Sequence, residues 1–397
     1  MVDYLIIGGG IIGLNIAIEL KNKKPKAKIL IIEKESEIGL HSSGRNSGVL
    51  HAGFYYSANS LKARFTKDGN KAMRKFCKKR GVKINECGKV VVAQNKEELE
   101  GLKELKRRGD INGVELNWIS KNKLNELYAD IYTYKKALFS PTTATVNPKE
   151  VTLEFAKVAK EMGIEIKKGV AYKGKVSKNK IITTNSSEIE YKKLINCAGL
   201  YADKIAKDFG FSQDFVIIPF KGIYLKDSSN NSRLVTNIYP VPNLANPFLG
   251  VHFTLTVTNE AKIGPTAIPA FWRENYKGLD NFKIDELAQI LYYEAKLFIA
   301  NAFGFRSLAF SEVKKYSKNY LVNLAKGLVK DKDLKGYNNW STPGIRAQLL
   351  NTKTLELVQD FVVEGDKTTV HILNAVSPAF TSSIPFAKWV INEFLVC

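Results

Sequence analysis

The chain is poor in the residues that build cross-links and metal centres. It has four cysteines, Cys77, Cys87, Cys197 and Cys397, far apart and with no C-x-x-C pair. That excludes a disulfide framework and a local thiolate metal site, and it suits a reducing cytoplasm. Histidine is equally scarce, and His41, His51, His252 and His371 form no local cluster, so no metal is expected. No uninterrupted apolar stretch reaches the roughly 18 residues of a membrane span. The expectation is a soluble, cytoplasmic protein, at most peripheral on the inner face of the cell membrane. Acidic residues are also in short supply, 39 Asp+Glu against 60 Lys+Arg, for a net charge of +21. The basic residues are scattered and carry no nucleic-acid motif, so nucleic acid is not an expected partner. The excess reads as a solvated Lys-rich surface, or as a field that draws in acidic substrates or anionic lipid.

What the chain does have begins at its N-terminus. Tyr4 to Ile7 form an apolar strand, and Gly8, Gly10 and Gly13 follow at G-x-G-x-x-G spacing before a helical pattern that runs to Leu20. The first glycine allows a sharp turn, the second close approach of a pyrophosphate, and the third tight packing of helix on strand. The helix N-terminus then offers free N–H groups and a positive dipole end. A second strand, Lys28 to Ile32, leads into Glu33, about 20 residues past Gly13, where a carboxylate meets an adenosine ribose. Strand, turn, helix, strand and acid in this order predict a dinucleotide site. Asp3, Asn15 and Glu19 keep the run from reading as a secretory leader.

Residues 34–61 are rich in Gly and Ser and carry Arg45, His51, Tyr55 and Tyr56. They predict an ordered loop passing along the cofactor. Helices are expected over Leu61–Arg80, Lys96–Arg108 and, from the Asn147-Pro148 cap, to Met162. Ile164–Lys167, Lys180–Thr184 and Leu194–Asn196 read as strands returning to the first sheet, and Cys197-Ala198-Gly199 as a ligand-facing turn at a strand end. Phe215–Gly264 reads as antiparallel strands, residues 284–335 as helices, and Ile345–Leu349, Phe361–Val363 and Val370–Leu373 as strands before a last helix, Ile384–Leu395. The fold class expected is α/β (an α+β composite). A discontinuous Rossmann-like nucleotide-binding domain (1–87, 145–214 and 336–397) is interrupted by a substrate domain (88–144 and 215–335) with a mostly antiparallel sheet and helices.

The assembled chain resembles the FAD-dependent oxidoreductases of the D-amino-acid-oxidase superfamily, and within them the L-2-hydroxyglutarate dehydrogenase/oxidase family. The motifs carrying the resemblance are GLHSSGRNSGVLHAGFYY (39–56), IPFKGIYL (218–225), YPVPNLANPFLGVHFT (239–254), GPTA (264–267), GIRAQ (344–348) and NAVSPAFTSS (374–383). Lys221 stands where the pattern has Arg, Ile223 where it has an acid, Thr266 where it has Asn, and the loop at Leu244–Asn246 is reshaped. The resemblance implies non-covalent FAD contacting Gly8, Gly10, Ile12, Gly13, Glu33, Lys34, Ser42, Ser43, Arg45, Asn46, Ser47, Ala198, Gly199, Gly344, Ser377, Ala379, Phe380 and Thr381. The N–H groups of the loop at Ser377 would face the charge that develops on a reduced flavin.

The implied activity is oxidation of L-2-hydroxyglutarate, or a related 2-hydroxy acid, to the 2-oxo acid. A hydride leaves for flavin N5, and electrons pass on to quinone or oxygen. Such chemistry needs a base, and His suits it near neutral pH. His252 is the first candidate and His51 the alternate, while His41 and His371 read as structural. An anionic substrate needs cations, and Arg346 offers a bidentate fork, so it is placed with the catalytic set. Lys221, Arg45 and Tyr56 are further substrate contacts. Oxidation of an amine or of glycerol-3-phosphate, a non-catalytic flavin protein, and an NAD-only dehydrogenase remain the competing readings.

Overall fold

A computed structural model describes residues 1–228, 234–242 and 250–395. The reshaped segment Leu244–Asn246 and Cys397 lie outside the described residues.

The N-terminal strand Val2–Ile7 sits at the centre of a parallel sheet. It pairs with Ile29–Glu33 on one side and Glu188–Asn196 on the other; Glu165–Lys168 and Thr369–Ile372 extend the two edges. Alternation along the central strands buries both faces. Tyr4, Ile6, Ile29 and Ile31 pack under the helices Ile11–Lys23, Pro148–Glu161 and Ala379–Val390, while Leu5, Ile7, Leu30 and Ile32 pack with Ile205 on the other side. An apolar run without polar alternation is what a strand covered on both faces requires. The nucleotide fingerprint is sterically enforced. Gly8 has φ of +105°, and a Cβ on Gly13 would lie 2.1 Å from the Gly8 carbonyl oxygen. No other residue fits at position 13.

The second large sheet is eight-stranded, in the order 337–340, 225–227, 261–264, 252–255, 237–240, 89–92, 136–140, 117–120. Its neighbours are antiparallel except 237–240 against 89–92, which run parallel. A three-stranded sheet joins Ile268–Pro269, Phe215–Gly222 and Gly344–Asn351, the last two paired from Phe215 opposite Asn351 to Gly222 opposite Gly344. Helices Ile284–Ala300, Phe305–Lys314 and Lys318–Ala325 complete this half.

Several expected elements are corrected. Tyr337–Trp340 and Gly344–Asn351, expected within the discontinuous nucleotide-binding domain, pair with Leu225–Asp227 and Phe215–Gly222. Strandedness is visible locally, but the partner is not. The final helix starts at Ala379, five residues before the expected Ile384, because Pro378 serves as its N-cap and the small residues after it already follow helical geometry. Leu194–Asn196 is the end of a longer strand, whose outer part pairs with Lys180–Thr183 and, beyond that, Tyr172–Ser177. Helix Leu61–Arg80 lies where its pattern places it, with Ser60 capping the Ala63 N–H and Gly81 in the left-handed region at its end.

Candidate active site

A cavity of about 270 Å³ opens where the two halves meet. From the nucleotide-binding half it is lined by Gly10, Ile12, the loop residues Ser42, Ser43, Arg45, Asn46, Ser47 and His51, then Gly199 and the Ser377–Thr381 helix start. From the other half come Phe220, Gly222, Tyr224, Tyr239, His252, Thr266, Gly344 and Arg346. Residues assigned from separate motifs therefore converge on one space.

The loop after Glu33 is fixed by its own polar groups. Ser43 Oγ accepts from the Ile11 N–H at 2.9 Å, so this distant serine caps the first helix. Ser42 Oγ donates to the Ile345 carbonyl at 2.8 Å, stitching the loop to the strand that carries Arg346. Asn46 donates to the Ser42 and Ser43 carbonyls at 3.1 and 3.0 Å and accepts from the Gly48 N–H at 2.9 Å. A Cβ on Gly344 would fall 2.2 Å from the Arg45 carbonyl oxygen, so that close approach needs glycine. Thr381 Oγ1 accepts from the His51 N–H at 3.2 Å and ties the loop to the last helix. Glu33 accepts from the Gly9 N–H at 2.9 Å and the Glu35 N–H at 3.0 Å, which orients its carboxylate at the strand end.

The two candidate bases both reach the cavity, in different settings. His252 Nδ1 lies 2.7 Å from the Gly250 carbonyl. A carbonyl only accepts, so the neutral ring carries its proton on Nδ1 and keeps the Nε2 lone pair free. The ring stacks on Tyr239, centroids 3.7 Å apart at 18°. Burial, with nearby Lys89, Lys262 and Lys315 and against the Gly250 bond, holds His252 at about 3. His51 is buried with no hydrogen-bond partner on Nδ1 among the described residues, and burial, then Lys89, His252 and Arg346, push it well below its usual range. His41 bridges Glu35 (2.8 Å) and the Tyr276 hydroxyl (2.9 Å). His371, inside the core, has Nδ1 3.2 Å from the Asn196 amide and Phe211 and Phe209 beside it. Both therefore sit in structural networks.

Among the described lining residues the charged side chains are Arg45 and Arg346, and no carboxylate faces the cavity. Arg346 feels Tyr56, Tyr224 and Glu312, and burial lowers its proton affinity. Arg45 lies over the Tyr276 ring, 4.4 Å from its centroid. Lys221 does not line the cavity. Its Nζ donates to Asn275 Oδ1 at 3.0 Å, because on its strand Phe220 and Gly222 turn inward. Tyr56 also lies outside the lining, close enough to Arg346 to interact with its charge. Gly8, Gly13, Glu33, Lys34 and Ala198 lie outside it too, as the turn and strand ends that frame it. Lys34 Nζ pairs with Glu35 and, at 2.6 Å, with Glu274; burial lowers its proton affinity, but these carboxylates outweigh that. Glu35, His41 and Glu274 are grouped with ligand atoms within 4.8 Å of one another, an arrangement the sequence spacing hides. Lys34 already supplies the positive charge there.

Tyr239, Tyr224, Lys62, Lys89 and Lys262 were not singled out from the sequence. Tyr224 and Tyr239 both stand inside motifs that carry the family resemblance. Lys89 gave a weaker signal, a lysine opening the apolar strand KVVV. Burial brings Lys62 and Lys89 to about 7 and Lys262 to about 8.

The fold and site define a flavin-dependent redox enzyme. Residues 3–392 match the model of the FAD dependent oxidoreductase family, and the chain belongs to that family, with FAD as its cofactor. Its curated relatives include proteins named L-2-hydroxyglutarate dehydrogenase. The one from Escherichia coli strain K12 is 35% identical over 409 residues, covering 99% of this chain and 93% of the relative. The one from Indibacter alkaliphilus is 35% identical over 402 residues, covering 99% of each. A mitochondrial one from Mus musculus is 35% identical over 416 residues, covering 98% and 87%. Among solved structures, the L-alpha-glycerophosphate oxidase of Mycoplasma pneumoniae with FAD bound superposes with a TM-score of 0.77 at 22% identity, covering 98% of this chain and 94% of that one. At that identity the likeness concerns the fold.

The residues present fit FAD. The glycine turn leaves the backbone bare beside Ser43, where a Cβ on Gly10 would come within 3.0 Å of Ser43 Oγ. Beyond it, the start of helix Ala379–Val390 opens onto the same cavity.

Proposed function

We propose that this chain oxidises L-2-hydroxyglutarate, or a closely related 2-hydroxy acid, to the 2-oxo acid, with His252 as the base. One observation carries the reading. An imidazole with its proton fixed on Nδ1 lines a cavity in which, among the described residues, there is no carboxylate and the charged lining groups are arginines. The names of the relatives at 35% identity supply the substrate.

Gly8, Gly10, Ile12, Gly13, Glu33 and the Ser42–Ser47 loop would hold FAD from one side. Gly199, Gly344 and Ser377–Thr381 would hold it from the other, without a covalent bond. Bound there, FAD supplies the acceptor for the hydride that leaves Cα. Arg346 holds a carboxylate with its planar fork, and Arg45 adds charge at the loop. His252 Nε2 takes the hydroxyl proton as the carbonyl forms; His51 is the alternate base. Burial and, to a lesser extent, Lys89, Lys262 and Lys315 hold His252 low; the substrate carboxylates offset the cations, so substrate arrival makes the imidazole a stronger base. Phe220, Ile345 and Val376 keep the site dry, which strengthens these interactions.

Electrons then pass to a quinone or to oxygen. A quinone acceptor accords with peripheral contact at an anionic membrane, supported by the apolar, lysine-bearing face of the helices from Ile284 to Ala325.

The test is anaerobic mixing of the FAD-loaded protein with L-2-hydroxyglutarate while following flavin absorbance. Rapid bleaching by the L acid, and not by its D enantiomer, malate or lactate, is the expected result. A yellow protein that no 2-hydroxy acid bleaches would remove the substrate assignment.

A further inference from the structure

Three adjacent strands of the large sheet carry Lys89, Tyr239 and His252 in a row. Asn237 lies opposite Lys89 in the parallel pair, and Ile238 opposite Phe253 in the antiparallel one. Strand alternation then puts residues 89, 239 and 252 on the same face. The Tyr239 ring touches both neighbours. His252 stacks on it at 3.7 Å, and Lys89 Nζ lies 4.0 Å from its centroid. Tyr55 and Phe54 close the cage, with the amine 5.0 and 5.7 Å from their centroids.

Lys89 is fully buried, and its Nζ has no hydrogen-bond partner among the described residues. A bare buried amine is costly, and the aromatic faces repay only part of the lost hydration. The titratable groups around it are Cys87 just ahead of its own strand, Tyr55 from the cofactor loop, Tyr239 and His252 from the neighbouring strands, and His51. None of these is a carboxylate. The site therefore keeps a cation beside the two histidines without a built-in counter-ion.

We propose that Lys89 is a positioning residue for His252, its ammonium caged by Phe54, Tyr55 and Tyr239 and adding to burial in holding the imidazole unprotonated until an anionic substrate enters. The inference rests on the reading of His252 as the base. A cation near an imidazole disfavours its protonated form, so removing the charge makes His252 easier to protonate. Lys89 itself changes charge near neutrality, since burial brings it to about 7. Above that range its hold on His252 weakens.

The test compares Lys89→Met with the wild type as FAD-loaded enzymes. At saturating L-2-hydroxyglutarate the acid limb of the flavin-reduction rate should move to higher pH, about a tenfold gain in proton affinity, or one pH unit. Lys89→Arg, which keeps the charge, should hold the limb where the wild type has it. An FAD-loaded Lys89→Met with the wild-type limb, however slow, would overturn the proposal and leave Lys89 as packing. Lys89→Gln serves the same purpose if the Met variant does not load FAD. A second arm needs no substrate. With only four histidines in the chain, the His252 ring can be followed by NMR in labelled holoenzyme. Its signals should titrate at higher pH in Lys89→Met, and superimposed curves overturn the proposal. Failure of the hydroxy-acid reading appears separately, as a wild-type flavin that does not bleach.

Discussion

At the residue scale, His252 carries its proton on Nδ1 and Arg346 lines the cavity. Among the described lining residues, His252 is an imidazole whose tautomer a backbone carbonyl fixes, so under the proposed mechanism His252→Ala should lower the limiting rate of flavin reduction by roughly 10²- to 10⁴-fold, with FAD still bound. Stopped-flow absorbance measures both. Arg346→Lys keeps the charge and loses the fork, so KM should rise by about tenfold or more, with a smaller fall in kcat. Lys221→Ala is the contrasting variant. Its amine is spent on Asn275 away from the cavity, and its KM should match the wild type within about twofold. Equal losses in the Arg346 and Lys221 variants would show that the substrate lies on the other side of that strand. The difference between these two residues also marks where sequence reading stopped. Both were chosen as cations for a carboxylate, but which of them reaches the cavity follows from the tertiary fold: Arg346 lines it, while the Lys221 amine is drawn to Asn275. Lys89 was out of reach for the same reason: its contact with Tyr239 comes from a parallel pairing of strands far apart in sequence.

At the scale of elements, local chemistry made the nucleotide-binding unit legible. Strand Val2–Ile7, the glycine turn and helix Ile11–Lys23 form from adjacent residues, and each glycine answers a steric demand nearby. What the sequence did not reveal is that the helix has no side-chain cap of its own and borrows Ser43 from the following loop. Ser43→Ala should therefore cost about 1 kcal/mol of stability and loosen FAD, measured as a lower melting temperature and a weaker FAD dissociation constant. Gly13→Ala should yield little FAD-loaded protein, because its Cβ has no space against the Gly8 carbonyl. The buried histidines add a pH dependence. His252 and His371 stay neutral when folded, at about 3 and about 4 against an ordinary 6.5. Their contribution is complete above 6.5 and lost as pH falls toward those values, since the unfolded chain gains the protons first. The melting temperature should drop between pH 6.5 and 4.5, and less in His371→Leu if the core accepts the substitution.

Across the whole molecule, charge and exposed apolar surface coincide. Most of the exposed large hydrophobic side chains lie between Phe271 and Leu324. At the turn between helices Ile284–Ala300 and Phe305–Lys314 they form one patch. Phe298 and Phe310 meet edge to face at 5.9 Å, Arg306 lies over Phe298 and donates to the Ile299 carbonyl, and the exposed Phe303 packs against Phe305 in the same turn, Ile299 74% and Phe310 61% exposed. Lys296 and Lys314 are exposed on the same helices and Lys318 opens the next one, while Glu312 pairs with Lys315. Among the described residues no helix is long and apolar enough to cross a membrane. Aromatic side chains flanked by lysines suit the interface of an anionic bilayer, and the shared positive charge disfavours a second copy of the same face. The protein should sediment with vesicles containing about a third anionic lipid at low salt, release as salt shortens the screening length, and ignore neutral vesicles. Phe303→Ser combined with Phe310→Ser should abolish sedimentation and leave flavin reduction by substrate unchanged, because neither residue lines the cavity. No vesicle binding at low salt, together with a dimer in analytical ultracentrifugation that the same double variant dissociates, would assign this face to self-association instead.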